Sequence, residues 1–443
     1  MDFSYLNCLC LCEWAEKSNK SKGKSESEIG KVSSPSEVEL TDGRSVVGSS
    51  PVALARKLGG RAIDPMVVAR QLADWRRAPE ETIDGALKPA ASMEQTRSEQ
   101  PPATQLRRAL KEELSTLIDR GDPIHVGLSG GVDSSSLVAA IVDLGHRPVV
   151  WLLDDQCQCD EERRHARSII DRFELAAHFV AVDPASFPDY FQATVEHSGE
   201  AVINARAVAK FLFYRHVADA APPVFVTGVG ADDLFAGKPD RWSINNRGIP
   251  GFAVSSQASR DLVRGLLHEQ FKVSETKLTT PVDIQTLLTM HMESVTRPLV
   301  LPMEVHLPAA MGISVAAPFM SPALIRLAKT LRREQLIGAG RGKLVLRQAV
   351  EPLVGRAVAW QPKTPVLAPV GGGTEAIRKK WADLFARLLT PSRLTPLGCV
   401  RVEPVEQLID DYRRLPLSSK PMMAMERVLM HLASLTIMNR PVE

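Results

Sequence analysis

The stretch Val126 to Leu137, VGLSGGVDSSSL, gathers small residues, hydroxyls and one acid where an apolar run gives way to a helical pattern. Glycines there let backbone N–H groups approach phosphate oxygens, and the start of a helix adds a partial positive charge, so the physical reading is a phosphate cradle. It is not a Walker A loop, because no Gly-Lys-Ser/Thr follows the glycines. Asp133 is repelled by phosphate unless a cation stands between them, which points to a magnesium bridge. A Gly-rich turn capped by Asp133 and Ser134 is the simpler account of a lone GG. The run Ser129 to Ser135 carries more than a cap needs.

The elements around this loop are legible in the apolar pattern. Leu106, Leu110, Leu114, Leu117 and Ile118 recur at helical spacing, and Gly121-Asp122-Pro123 closes that helix before an apolar run, Ile124 to Leu128. Apolar runs return at Pro148 to Leu153, Ala177 to Val182 and Pro223 to Thr227, with helical stretches over 133–145, 160–174 and 204–219 between them. Strands alternating with helices predict a parallel sheet covered on both faces, a doubly wound α/β fold. After about Arg241 the strand signals fade. Amphipathic segments follow over 259–270, 283–293, 322–333, 343–354, 375–389, 404–414 and 421–438, so the C-terminal half reads as largely helical. Residues 1–39 read as a flexible leader, since 17–39 are polar and nearly free of large apolar groups. A compact segment and a polar linker occupy 40–103, and the main domain runs over 104–443.

Composition bounds the partners. With 44% hydrophobic and 24% charged residues, the 443-residue chain can bury two or three domains and is not a disordered one. Its 54 Lys and Arg against 52 Asp and Glu leave a formal charge of +2, so no overall field holds it on nucleic acid or an anionic membrane, and neither is an expected partner. The six cysteines are too few and too clustered for a disulfide framework, which predicts a reducing, cytoplasmic setting. Cys8, Cys10 and Cys12 lack the Cys-x2-Cys halves of a zinc site, and the opening MDFSYLNCLCLC is too short and too acidic at Asp2 for a signal peptide. Cys157 and Cys159 sit among acids, which disfavours a reactive thiol acting on RNA.

SGGVDSS resembles the signature of the PP-loop ATP pyrophosphatases through Ser129, Gly130, Gly131, Asp133, Ser134 and Ser135. The resemblance implies an adenine nucleotide alpha hydrolase-like fold, cleavage of ATP between the α and β phosphates, adenylation of a carboxylate and displacement of AMP by a nucleophile. It assigns ATP to Leu128, Ser129, Gly130, Gly131, Asp133, Ser134, Ser135, Thr227 and Gly228. TGVGADDLFAG, Thr227 to Gly237, is similar to the SGEGADELFGG element of the asparagine synthetase branch, which implies Asp133 and Asp232 as ligands of Mg2+. Two carboxylates from different strand ends on one metal would neutralise a pyrophosphate leaving group. GRGKLVLRQAV and WQPKTPVLAPVGGGTE look like the KxxLR and RPKxGV elements of β-lactam and carbapenam synthetases. They imply Lys343 as a phosphate contact and Lys363 as the point charge on the tetrahedral intermediate and departing AMP. LPMEVHLPAAMGISVAAPFM resembles the helix that ends in a PF turn, here Pro318-Phe319, and implies Glu304, or else Glu293, as the base on the attacking amine.

Two departures shape the expectation. The tyrosine that partners this base in β-lactam synthetases is replaced by Val229, which cannot relay a proton. Residues from about Gly43 to Ala90 look like only the last third of the family's glutaminase domain, a truncated remnant, so ammonia from glutamine is not expected. The resemblance thus implies a β-lactam synthetase-like ligase that closes a small amino-acid-derived substrate, or a peptide, on its own amine, with room for a homo-oligomer. A lasso peptide cyclase, an ammonia-dependent asparagine synthetase and an inactive scaffold stay open beside it.

Overall fold

The computed structural model describes residues 100–154, 160–238, 257–271, 283–292, 296, 300–362, 373–417 and 419–439, together with three strands nearer the N-terminus. Those strands, β1 (Ile29–Ser34), β2 (Glu37–Leu40) and β3 (Ser45–Val47), pair antiparallel in that order. β1 lies within residues 1–39, the stretch read as a flexible leader, and β2 ends one residue past it. In the backbone register Val32 pairs with Val38, and Val38 with Val46.

The main sheet builds out from the phosphate-type loop. Helix α1 (Pro102–Ile118) opens with proline, whose fixed φ and missing N–H suit a first turn. Leu106, Leu110 and Leu114 then bury one stripe against the sheet, as their spacing predicts. β4 (Ile124–Gly127), α2 (Val132–Asp143), β5 (Val149–Asp154), α3 (Asp160–Phe173) and β6 (Ala177–Ala181) step outward in one direction. Helices α4 (Phe187–Ser198) and α5 (Arg206–Asp219) then carry the chain back to β7 (Val224–Val226) on the other side of β4. The strand order is β6-β5-β4-β7-β8, and every pairing is parallel. The reversal between β4 and β7 opens a crevice at their carboxyl ends, the usual ligand position in such sheets. β8 (Val315–Ala316) is missing from the sequence reading: two residues are too short to show a period.

Each face of the sheet has its own core. Val126, Val150, Leu152 and Val226 point to the side covered by α1, α2 and α3, and by α8 (Ile284–His291), α9 (Pro322–Lys329) and α10 (Leu344–Val354). Trp151, Val180 and Phe225 point the other way, to α4 and α5, which merge with the later helices α7 (Gln257–Leu266), α11 (Glu375–Leu388), α12 (Val402–Arg414) and α13 (Lys420–Met438). Between β7 and α7 stands one short helical turn, α6 (Ala231–Leu234). The helical C-terminal half therefore matches its amphipathic pattern closely.

α13 is buried nearly all round, and its His431 is held there neutral. Burial pushes its imidazole down to about 3. Below its ordinary value of 6.5 the unfolded chain binds a proton that the folded state refuses, so stability falls as pH drops from about 6.5 toward 3. His431→Met is expected to flatten that part of the acid limb, and urea titrations from pH 7 to 4 would show it; parallel curves for both proteins would refute the assignment.

Candidate active site

At the exit of β4 the chain is still part of the sheet for one more residue. Leu128 donates its N–H to the Trp151 carbonyl at 2.8 Å and is 2% exposed, so its side chain belongs to the core and not to the lip of the loop. Ser129 begins the loop. Its N–H donates to Ser134 Oγ at 3.1 Å, and Gly131 N–H donates to Ser129 Oγ at 3.2 Å. Gly130 takes φ +83°, and a Cβ there would overlap the Glu162 carbonyl of α3, so only glycine fits. Ser135 Oγ is fully buried and makes no hydrogen bond among the described residues. A buried hydroxyl without a partner costs about 1–3 kcal/mol.

The second loop leaves β7 and comes up against the first. Thr227 donates its N–H to the Ala316 carbonyl at 2.9 Å and is buried, while Gly228 packs beside Asp133. Asp232 and Asp233 follow on α6 and point to different partners. Asp233 is buried and accepts from His291 Nδ1 of α8 at 2.6 Å, which braces the turn from behind. Asp232 turns toward Asp133, and both meet Lys343. The Lys343 ammonium lies 2.6 and 2.5 Å from the two Asp133 oxygens, pairs with Asp232 Oδ1 as well, and is 2% exposed. Burial alone would lower its proton affinity, but the Asp133 and Asp232 charges outweigh burial and raise it well above the ordinary range. Lys238 stands 3.9 Å from Asp232 Oδ2.

The backbone is shaped to bring these groups together. Lys343 adopts φ +63° immediately before α10 and donates its N–H to the Phe235 carbonyl at 2.8 Å. Next to that carbonyl, Ala236 also has φ +52°, and a Cβ on Gly237 would overlap both Asp232 and Lys343. Left-handed backbone at a residue with a side chain is strained. Ala236→Gly is therefore expected to stabilise the protein by roughly 0.5–1 kcal/mol, or about 2 °C in Tm, measurable by scanning calorimetry. A lower Tm would show that the methyl group has packing value exceeding the strain.

Asp133 and Asp232, which the resemblance pairs on a metal, meet here on the Lys343 ammonium. Among the described residues no group of three or more His, Cys, Asp or Glu gathers to hold a metal. A two-carboxylate donor set still suits magnesium, which takes one or two carboxylates and completes its shell with phosphate oxygens and water.

A second polar cluster lies on the opposite face of the sheet, where Tyr214 and Phe225 share one core. Glu304 lies in a π-helical turn, Pro302–His306, an arrangement often found at functional sites. It pairs with Lys210 of α5 and accepts from Tyr214 Oη at 3.3 Å. The Tyr214 ring packs edge-on against Phe225 of β7, with centroids 5.7 Å apart. Lys210 is one helical turn nearer the start of α5 than Tyr214, about 5.4 Å along, so both reach Glu304 from one face of the helix. Burial, then the Glu304 charge and hydrogen bond, raise the Tyr214 phenol far above its usual value. A tyrosine therefore does meet Glu304, from another helix and 90 residues away, which no sequence signal reveals.

Arg347, four residues past Lys343, is turned to the backbone. It is buried, and it donates to the Gly342, Ala359 and Gln361 carbonyls at 2.9, 2.7 and 2.9 Å. Three carbonyls take its Nε and Nη1 donors, so it ties down the backbone around Gly342 and Gln361. Gln361, unnoticed in the sequence, reaches from that segment to the phosphate-type loop and donates to the Gly130 carbonyl at 2.6 Å. Lys363, Glu293, Cys157, Cys159 and the glutaminase-like remnant lie outside the described residues, apart from the strands above. No helix among the described residues is long and apolar enough to cross a membrane.

A doubly wound sheet with a glycine-serine loop and an acidic pair at its carboxyl edge defines an α/β protein of the class in which the topological switch point is the usual ligand position. The chain belongs to the asparagine synthase family, whose model matches residues 105–436. A curated relative, the amidase chyE of Penicillium rubens, is 26% identical over 156 residues, which is 32% of this chain and 23% of that protein; the match spans about a quarter of the relative's length. Among solved structures, an NMN synthetase from Francisella tularensis aligns with 12% identity and a TM-score of 0.26, covering 54% of this chain and 95% of its own. An NAD+ synthetase from Burkholderia pseudomallei aligns with 16% identity and a TM-score of 0.22, covering 60% and 93%.

Proposed function

We propose that the chain is an ATP-dependent carbon–nitrogen ligase that converts a substrate carboxylate to its adenylate and joins it to an amine, releasing pyrophosphate and AMP. The observation that carries this reading is the meeting of Asp133 and Asp232, from loops after different strands, on one buried ammonium. Membership of the asparagine synthase family supports it. The loop from Ser129 to Ser135 and the Thr227-Gly228 exit would bind the nucleotide, with the Ser135 hydroxyl as a spare hydrogen-bonding group. Magnesium, held by Asp133 and Asp232, would supply charge neutralisation for the pyrophosphate. Lys343 would then pass from the carboxylates to phosphate oxygens, and Lys363 would balance the charge of the departing AMP.

For the second half-reaction, Glu304 takes the proton from the amine, held in place by Lys210 and Tyr214. Tyr214 stays protonated across the working pH range, so it orients Glu304 as a donor and leaves the carboxylate as the acceptor. The amine is internal to a small amino-acid-derived substrate or a peptide, as in β-lactam synthetases, in a cytoplasmic route to specialised metabolites. Ring closure draws on enforced proximity more than on a strong nucleophile.

Magnesium-dependent ATP–pyrophosphate exchange, measured across a panel of carboxylic acids, tests the reading. Exchange with amino acids that carry a second, spaced amine is expected. Exchange with aspartate alone would point to ammonia-dependent asparagine synthesis, and with a linear peptide to lasso-type closure. No exchange, with no binding of Mg·ATP by calorimetry, would leave an inactive scaffold.

A further inference from the structure

We propose that Gln361 is a positioning residue for the nucleotide: it sets the orientation of the Gly130–Gly131 peptide so that the loop presents its N–H side inward. This inference rests on the ligase reading above and adds to it a residue outside the recognised motifs.

The geometry is specific at both ends of the side chain. Gln361 Nε2 donates to the Gly130 carbonyl at 2.6 Å, and Gln361 Oε1 lies 2.6 Å from His165 Nδ1 on α3. Because the carbonyl of Gly130 can only accept, Nε2 faces it, and Oε1 then accepts from a protonated Nδ1 of His165. The amide therefore cannot flip without losing both bonds. The peptide between Gly130 and Gly131 is trans, so its carbonyl and N–H point in opposite directions. Holding the carbonyl toward Gln361 sends the Gly131 N–H back into the turn, where Ser129 Oγ accepts it at 3.2 Å. Successive N–H groups turned into one concavity are what binds an anion there.

Gly130 has a left-handed φ of +83° and no Cβ, so its own side chain cannot resist a flip of this peptide. Gln361 supplies that resistance. Its own position is fixed in turn, since its carbonyl accepts from Arg347, and Arg347 donates its backbone N–H to the Lys343 carbonyl at 2.9 Å. A closed circuit results: Lys343 holds Asp133 by its side chain, and through α10, Arg347 and Gln361 its backbone is tied to Gly130, three positions before Asp133. A basal lysine clamp and a peptide orientation are thereby set together.

The test uses Gln361→Met in the full chain, which keeps the side chain's volume while removing both hydrogen bonds. Loss of one such bond's worth of preorganisation should raise the Kd for Mg·ATP about tenfold by calorimetry, with the melting temperature within about 3 °C of wild type. His165→Phe, which frees only the far end of the amide, should give a smaller rise, about threefold. A melting temperature that falls while the Kd stays within about twofold of wild type would mean a merely structural bond and would overturn the proposal. Should Gln361→Met fail to fold, an unchanged Kd for His165→Phe overturns it equally. Wild-type protein that binds no Mg·ATP would sink the ligase reading itself, a separate outcome visible before any variant is made.

Discussion

Lys343→Met is expected to destabilise the metal-free protein by about 3 kcal/mol, the lower end of what removing one partner of a buried ion pair costs, because Asp133 and Asp232 keep some contact with water. The substitution leaves two carboxylates facing each other without the cation that both now share. Its pH dependence is a second signature. The folded-state proton affinity of Lys343 is raised above that of the unfolded chain, so its contribution is complete below about pH 10.4 and declines as pH rises beyond it. The difference between wild type and variant should accordingly be flat from pH 7 to 10 in urea titrations. Added magnesium should stabilise the variant more than the wild type, since the carboxylates would recruit the divalent ion in place of the ammonium. A variant as stable as wild type in chelator would show that the clamp is not a stabilising element.

Glu304→Gln should separate the two half-reactions. Gln keeps the shape and can still meet Tyr214 and Lys210, but it cannot accept a proton at neutral pH. Removing a positioned general base typically costs about 10²–10⁴-fold, so amide formation should fall by that factor. ATP–pyrophosphate exchange, which needs only the phosphate loop and the acidic pair, should stay close to wild type. Loss of both activities in a folded variant would place Glu304 in substrate binding instead. Tyr214→Phe offers a graded companion: without the phenol, Glu304 keeps its charge and loses one fixed contact, so about a tenfold loss confined to amide formation is expected.

The sequence revealed whatever is local. The stripe of Leu106, Leu110 and Leu114 fixed α1, the apolar runs fixed the four longer strands of the main sheet, and the run from Ser129 to Ser135 fixed the loop between β4 and α2. Family resemblance brought Asp133 and Asp232 together, and the fold does so as well. What stayed hidden are contacts between distant positions with no period of their own. Tyr214 and Glu304 are 90 residues apart, Asp233 and His291 are 58, and Gly130 and Gln361 are 231. None of these residue types is unusual for its local element, so only the packing of α5, α8 and the turn after α10 discloses them. The backbone role of Arg347 was hidden for the same reason, since its three carbonyl partners lie 5 to 14 residues away.

The clamp at the carboxyl edge joins residues 210 positions apart, with Asp232 between them in sequence. No fragment that ends before Lys343 can assemble it, so the site should appear late in synthesis, after most of the chain has left the ribosome. A molecule bound there is then linked to the folding of the whole span it bridges. At a hundred times its Kd, a bound nucleotide would add about 2.7 kcal/mol to the unfolding free energy of that span. In the cell, an abundant nucleotide pool would act as a standing guard against proteolysis of newly made chains, and depletion of that pool would shorten their lifetime before any change in catalysis was felt.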